Sequence, residues 1–183
     1  MASFAIHLAI GQEYLKKHDE KNTQEFTEGN IAPDLAQNKV EAHYGKITAK
    51  PNLYEYIQQN EVESSFNRGY FLHLLTDYLF YNHLIDIDTV VEKIGVDKWK
   101  ELLYNDYNVI NDIVLNVFHV EVPEKVKKYM HSSDGKLYLF TQESLTNFIK
   151  EISGIDLDEI IGKIKSGKEI ESLLEDDNEK DER

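Results

Sequence analysis

The sequence predicts an all-α fold, with a single helical domain built around one long buried helix. Apolar residues recur at helical spacing almost throughout the chain, and β-branched residues rarely alternate with polar ones over the length of a strand. The stretch 62–84 is apolar nearly all the way round, which is typical of a helix in the core. At 183 residues the chain is long enough for one domain with a substantial core.

Signals for helix ends place the helices of the first half of the chain. Gly29 is a natural left-handed residue after a helix, and Asp34 is a natural N-cap for the following one. Residues 30–34 are therefore expected to connect two helices, and residues 45–51 to form a loop. The expected helices are 4 to about 18, 23–28, 34 to about 42, 53–59 and the central helix 62–84.

The second half is expected to be helical as well, up to an acidic tail. The expected helices are 90–117, interrupted near 105–108, followed by 123–130, 141–152 and 157–165. Residues 131–135 have the composition of a turn. We expect residues 1–168 to form the helical, metal-binding domain and the strongly acidic residues 169–183 to be a frayed helix end or a disordered tail.

Composition excludes several classes of function. Lys and Arg number 20 against 34 Asp and Glu, a net charge of −14, which argues against stable nucleic-acid binding and against an anionic membrane surface. The chain has no Cys, so disulfide partners, thiolate metal sites and a cysteine nucleophile are all excluded. No segment reaches the ~20 apolar residues of a transmembrane helix. The N-terminus shows no signal peptide, so we expect a cytoplasmic protein.

The central helix carries the most informative pattern. His73 and Asp77 lie four residues apart, about 40° around the helix axis and ~6 Å along it, so both could reach one metal ion. Gly69 lies on the same stripe, where its missing side chain would let another backbone approach. His83 is rotated by about 120° from that stripe, so it suits a second metal position or a supporting role and not the first ion. A buried, mutually hydrogen-bonded His–Asp pair without metal remains an alternative.

The other candidate residues each have an ordinary structural explanation. His7 fits the apolar pattern of the first helix, as a core histidine would. Asp34 could simply be an N-cap, and His43 could interact with the dipole at a helix end. His18 and His131 are expected to be exposed, and His119 is ambiguous.

Together and in this order, these residues resemble the ligand pattern of the zinc-dependent phospholipase C and P1/S1 nuclease superfamily. The most specific feature is a His-x3-Asp-x5-His run on a long helix, which His73, Asp77 and His83 reproduce. The upstream Gly-x-x-x-Pro-Asp element, here residues 29–34, followed by His43, looks like the phospholipase branch. The resemblance covers roughly the first half of the chain.

The resemblance implies an all-helical fold, a cluster of three zinc ions and definite ligand roles. His43, His73 and Asp77 would hold one zinc, and Asp77 would bridge to a second zinc. His7 would bind that second ion, and His83 would belong to the third. Asp34 would lie beside the pair, as a ligand or as the base acting on the metal-bound water.

The chain departs from the family pattern at two places. The family's N-terminal ligand is a tryptophan exposed by secretion, whereas removal of Met1 here would leave Ala2 as the candidate. The third zinc normally takes a further His-x3-Glu or His-x3-Asp pair, which is missing after His83. His119, with Glu121 or Glu124, is a poor substitute, and Asp106 is a further candidate. We therefore expect two zinc ions rather than three, with Mn, Fe or Ni also compatible with the ligands.

These expectations lead to a functional hypothesis. The protein would be a metal-dependent, phospholipase C-like hydrolase of phosphodiesters or phosphomonoesters, with a metal-activated water as nucleophile and Asp34 as its orienting base. The substrate would be a small soluble phosphoester or a phospholipid head group. Two alternatives stay open: a non-catalytic metal-binding or structural module that keeps the fold, and an HD-like helical metallohydrolase.

Overall fold

The computed structural model describes residues 2–168, and these residues contain helices and no strand. The expectation of an all-α fold is confirmed. Both the expected acidic tail and the fate of Met1 lie outside the described residues. Within residues 2–168, no helix combines the length and the apolar character that crossing a bilayer requires.

Nine α-helices lie within residues 2–168, together with one π-helical turn and one 3₁₀ segment. The α-helices are α1 Phe4–Lys17, α2 Thr23–Leu35, α3 Lys39–Ala42, α4 Leu53–Gln59, α5 Ser65–Leu79, α6 Ile87–Ile94, α7 Val96–Val117, α8 Gln142–Ser153 and α9 Leu157–Lys165. The π-helical turn is Phe80–Leu84 and the 3₁₀ segment is Glu124–Tyr129.

Helix α5 forms the centre of the domain. It packs along α2 over most of its length, and α1 packs against α2, α7 and α8. From residue 71 to residue 77 its side chains are buried on all sides, as the apolar sequence predicted, whereas Phe66 in its first turn is exposed. The aliphatic and aromatic side chains of α5 with at most 1% exposure are Phe71, Leu72, Leu74, Leu75 and Leu79. Polar side chains on this helix must therefore find their partners inside the protein.

The contact between α2 and α5 depends on two glycines that face each other's backbone. A Cβ atom at Gly69 would lie 2.0 Å from the carbonyl oxygen of Phe26, and one at Gly29 would lie 1.9 Å from that of Phe66. Side chains at either position would force the helices apart. The expectation that Gly69 admits a neighbouring backbone is confirmed, and that neighbour is α2.

The same contact explains an error in the sequence-based prediction. Gly29 was expected to end a helix, but α2 continues through it to Leu35. Because Gly29 is needed for the close approach to α5, it marks a helix crossing and not a helix end. Asp34 consequently lies in the last turn of α2 and caps nothing, while Asn38 caps α3 by accepting from the backbone N–H of Glu41 at 3.1 Å.

The second half of the chain also differs from expectation in its details. The interruption expected near residues 105–108 is absent, since α7 is continuous there. The break falls instead at Gly95, whose φ of 81° separates α6 from α7. The central helix begins at Ser65, later than expected, and its last residues form the π-helical turn. By contrast, α4 and α9 have the expected bounds.

Candidate metal centre

Five ionisable side chains converge between α1, α2 and α5. His7 comes from α1, Asp34 from the last turn of α2, His43 from the residue after α3, and His73 and Asp77 from α5. Asp34 is 3% exposed and the other four residues are 0% exposed. Burying this many ionisable groups is costly unless they are paired or bind a cation.

Four atoms of this cluster face a common point. Nε2 of His43 and Nε2 of His73 are 3.3 Å apart. Oδ2 of Asp77 lies 2.9 Å from the His43 nitrogen and 3.3 Å from the His73 nitrogen. Oδ1 of Asp34 lies 3.4 Å from each of the two nitrogens. Asp34, His43, His73 and Asp77 could therefore hold a metal ion.

Five of the separations among these four atoms match edges of a tetrahedral coordination shell. Nitrogen and oxygen ligands at 2.0–2.1 Å from zinc in tetrahedral geometry are about 3.3 Å apart from one another. The five distances between the two nitrogens and the two oxygens range from 2.9 to 3.4 Å. The four side chains thus have the spacing that such an ion requires.

The hydrogen bonds of the Nδ1 atoms of His43 and His73 determine which tautomer each ring adopts. Nδ1 of His43 lies 2.5 Å from the carbonyl oxygen of Lys39, and Nδ1 of His73 lies 2.7 Å from that of Asn30. A carbonyl oxygen only accepts, so Nδ1 carries the hydrogen in both rings. When the rings are neutral, the Nε2 lone pairs point into the cluster, as in metal-binding histidines.

Asn30 is a residue of the site that the sequence analysis missed. Its carbonyl orients His73, and its side-chain Nδ2 donates to the carbonyl oxygen of His7 at 2.7 Å. The amide fits because position 11 is glycine, where a Cβ would lie 2.4 Å from Nδ2. The available signal was spacing, since Asn30 lies one helical turn before Asp34 once α2 is continuous.

The remaining carboxylate oxygens face His7. Oδ1 of Asp77 lies 3.0 Å from Nε2 of His7, and Oδ2 of Asp34 lies 3.8 Å from it. The backbone nitrogen of Ala2 donates to the same Asp77 oxygen at 2.8 Å. Each carboxylate therefore presents one oxygen to the His43–His73 pair and the other to His7, an arrangement that suits bridging between two cations.

The Asp34 carboxylate tests whether the residues fit a metal. Both of its oxygens are buried and lack a hydrogen-bond partner among the described residues. A buried carboxylate without hydrogen bonds is strongly unfavourable in the absence of a nearby positive charge. The geometry of Asp34 is thus that of a ligand, and the fit is good.

Without metal, the cluster compensates its charges by shifting protonation. Burial favours neutral His73, but the charges of Asp34 and Asp77 outweigh it and raise the pKa of His73 to about 10. Burial favours the protonated form of Asp34, yet the charge of His73 and the nearby Nε2 atoms of His43 and His73 hold the pKa of Asp34 below its usual range. For His7, burial and then the charge of His73 lower the pKa. Protons and a metal ion would thus compete for the same atoms.

No family model, curated protein or solved structure matches this chain.

Three further candidates lie away from the cluster. His83, in the π-helical turn, is exposed, and its ring centroid lies 6.5 Å from that of Tyr78. His119 is exposed and has a φ of 51°. Asp106 is buried, but it accepts hydrogen bonds from the backbone N–H groups of Tyr138 and Leu139, the latter at 2.7 Å. Asp106 thus holds the chain before α8, and the structure brings none of the three into the metal-ligand group.

The chain also contains a His-Asp dipeptide, His18–Asp19, at the end of α1. His18 stacks on Tyr14, with ring centroids 4.1 Å apart, and its Nε2 lies 3.2 Å from the carbonyl oxygen of Ser153. Asp19 is exposed. This dipeptide is outside the cluster, which disfavours a site of the HD type.

A pair of buried tyrosines continues the polar interior beyond Asp77. The hydroxyl groups of Tyr81 and Tyr107 are 2.6 Å apart. Burial raises the pKa of Tyr81, and the charge of Asp77 raises it further. Both tyrosines therefore stay protonated at neutral pH and add no charge to the site.

The pKa of His73 predicts how the metal-free protein responds to pH. We expect the free energy of unfolding of chelator-treated protein to decrease as the pH rises from 6.5 toward 10. The raised pKa stabilises the folded state fully below 6.5, and this contribution is lost as His73 deprotonates. The two aspartates contribute no slope in this window, because their lowered pKa values lie below it. Urea unfolding across this range would measure the effect.

Metal-loaded protein provides the comparison. Metal binding requires deprotonated ligands, so the stabilisation by metal should increase over the same pH range. A metal-free protein whose stability is constant or increases from pH 6.5 upward would contradict the assignment of His73 as the charged partner of the aspartates.

Proposed function

We propose that this protein is a metal-dependent hydrolase of phosphoester bonds, with zinc as the metal and a phospholipase C-like site. The observation that carries the proposal is the close convergence of two Nε2 atoms and two carboxylate oxygens, with five separations of 2.9–3.4 Å. Neutral histidines with carboxylates suit zinc, and Mn, Fe or Ni accept the same ligands.

The arrangement around His7 supports a second ion. Asp77 would be shared by the two ions, Asp34 would lie beside them, and His7 and the nitrogen of Ala2 lie where the second ion would find ligands. Removal of Met1 would convert that nitrogen into an amine. When bound, two such ions acidify a shared water and offset negative charge on a phosphoryl group.

The chain's own residues have distinct tasks in this proposal. The carbonyl oxygen of Asn30 holds the His73 ring in its orientation, and that of Lys39 holds the His43 ring. The two rings therefore need not rotate when a metal ion binds. Oδ2 of Asp34 makes the loosest contact of the cluster, 3.8 Å from His7, and Asp34 is the most exposed of the five residues. We assign this oxygen to accept a proton from the attacking water.

The proposed substrate is a small soluble phosphoester, since a protein of net charge −14 is poorly suited to an anionic lipid surface. A phospholipid head group is the other substrate that the resemblance implies. Turnover of phosphatidylcholine vesicles without turnover of p-nitrophenyl phosphate or bis(p-nitrophenyl) phosphate would overturn the preference for a soluble substrate.

An Asp34→Asn variant tests the catalytic assignment. We expect its turnover of the best soluble phosphoester to fall by about 100-fold or more, because the amide can neither accept the proton nor bridge with equal charge. Asp19→Asn is the matched control: it neutralises an exposed carboxylate outside the site and should leave turnover unchanged. Equal turnover in Asp34→Asn and the parent protein would contradict the proposal.

A non-catalytic metal-binding module is the second candidate, and one observation favours it. All five residues are at most 3% exposed, whereas a catalytic metal needs one position open to substrate. Metal bound at stoichiometric amounts, with no turnover on monoesters, diesters or lipid vesicles, would favour this candidate. Turnover that Asp34→Asn abolishes would favour the enzyme.

A further inference from the structure

The two sides of the cluster differ in where the histidine hydrogens lie. On one side, His43 and His73 each use Nδ1 to donate to a backbone carbonyl oxygen, at 2.5 and 2.7 Å. Their Nε2 atoms therefore carry free lone pairs whenever the rings are neutral. Neither ring has to change its tautomer before a metal ion binds there.

His7 has the opposite arrangement. Its Nδ1 is buried and has no hydrogen-bond partner among the described residues. Its Nε2 lies 3.0 Å from Oδ1 of Asp77, and a carboxylate oxygen only accepts. The hydrogen of a neutral His7 ring is therefore on Nε2, which is also the atom that would bind the second ion.

The packing around His7 holds the ring in this orientation. The ring stacks on that of His73, with centroids 3.6 Å apart and an angle of 9° between the planes. The backbone carbonyl oxygen of His7 accepts from Nδ2 of Asn30 at 2.7 Å. Because the stack fixes the plane of the ring, Nδ1 does not gain an acceptor by rotation out of that plane.

The carboxylates show the same difference between the two sides. Oδ1 of Asp77 faces two donors, Nε2 of His7 and the backbone nitrogen of Ala2, the latter at 2.8 Å. Oδ1 of Asp34 faces the His43–His73 pair and has no hydrogen-bond partner among the described residues. The His43–His73 side thus lacks a positive charge, whereas hydrogen bonds already satisfy the His7 side.

An ion beside His7 would disturb these hydrogen bonds. The His7 hydrogen would move to Nδ1 and become a buried N–H without an acceptor, and Oδ1 of Asp77 would exchange its donors for the ion. Leaving one buried donor unpaired weakens binding by about 5- to 150-fold.

We propose that the two metal positions fill in order, first the one at His43 and His73 and then the one at His7, which binds at least about tenfold more weakly and requires a change of the His7 tautomer. Protein with a single ion therefore keeps His7 as a hydrogen-bond donor to Asp77. This inference rests on the proposed function, because it concerns the ions of the same site.

Titration of Zn²⁺ into chelator-treated, ¹⁵N-labelled full chain tests the order. Long-range ¹H–¹⁵N spectra distinguish the two tautomers of each histidine. We expect the first equivalent to shift the Nε2 signals of His43 and His73 while His7 stays in the Nε2–H form. His7 should change to the Nδ1–H form only in the second step, and calorimetry should give two dissociation constants that differ by at least about tenfold.

A His7→Ala variant tests the two steps without relying on the tautomer. It should remove the weaker step and retain the tighter one, because the ligands at His43 and His73 remain. His131→Ala is the matched control, since His131 is exposed and lies outside the metal-ligand group. This control should retain both steps.

Several results would overturn the proposed order. They are a His7 ring in the Nδ1–H form before metal is added, His7 signals that change together with those of His73, two steps of equal affinity, no second step at millimolar Zn²⁺, or two ions bound by His7→Ala. Ordered filling without turnover of any phosphoester would contradict the proposed function alone. Turnover by protein whose two positions fill together would contradict only the order, and protein that binds no Zn²⁺ would contradict both.

Discussion

Replacing His73 with alanine is expected to abolish metal binding and to destabilise the folded protein by about 3–5 kcal/mol. Nε2 of His73 lies 3.3 Å from Oδ2 of Asp77 and 3.4 Å from Oδ1 of Asp34, inside a fully buried cluster. Its loss would remove a ligand and leave two buried carboxylates with less compensating charge. Bound metal measured by mass spectrometry and the urea unfolding midpoint would report both effects.

His83→Ala is the matched control for this prediction. His83 lies on the π-helical turn that continues α5, but its side chain is exposed and outside the cluster. Its removal should leave metal content unchanged and change stability by less than about 0.5 kcal/mol. Full metal retention in His73→Ala, or equal loss in both variants, would mean that the cluster is not the metal site.

Replacing Gly69 with alanine should destabilise the protein by about 3 kcal/mol or more. The added Cβ would lie 2.0 Å from the carbonyl oxygen of Phe26, a backbone atom that cannot move without shifting α2. Because α2 carries Asn30 and Asp34, the shift should also weaken metal binding. Denaturant unfolding and metal affinity of the same variant would test the two effects together.

Gly162→Ala is the control, and we expect it to change the stability of the protein in the opposite direction. Gly162 lies inside α9, is exposed, and has no heavy atom within 4 Å of where its Cβ would be. Alanine there should stabilise the protein by about 0.5–1 kcal/mol through its higher helix propensity. A Gly69→Ala protein as stable as Gly162→Ala would show that the close contact between α2 and α5 is not required.

Local sequence patterns predicted the structure correctly where the residues that decide it are close together in the chain. The i, i+4 spacing of His73 and Asp77 and the small residue at Gly69 follow from helix geometry alone, and the structure places all three on α5 as expected. The apolar surroundings of this helix also predicted its burial, which is confirmed. The bounds of α4 and α9 were predictable because Asn52 and Asp156 cap them with their own side chains.

Local sequence patterns gave wrong predictions where a contact between residues far apart in the chain decides the structure. Gly29 has the sequence signature of a helix end, but the backbone of Phe66 on another helix requires it inside α2. His83 completes the motif in the sequence, yet it lies on a π-helical turn and is exposed. Asp106 is a candidate ligand in the sequence, whereas in the structure its carboxylate accepts a hydrogen bond from the backbone N–H of Leu139.

The sequence by itself determined the all-α class and the buried central helix, and its wider list of candidates included the four residues that could hold a metal ion. Only the tertiary structure decided that Asp34 and Asp77 face His7 on one side and the His43–His73 pair on the other. The physical reason is that ligand geometry depends on how α1, α2 and α5 cross. That crossing is set by backbone contacts between Gly29 and Gly69 and their partners, which no local periodicity encodes.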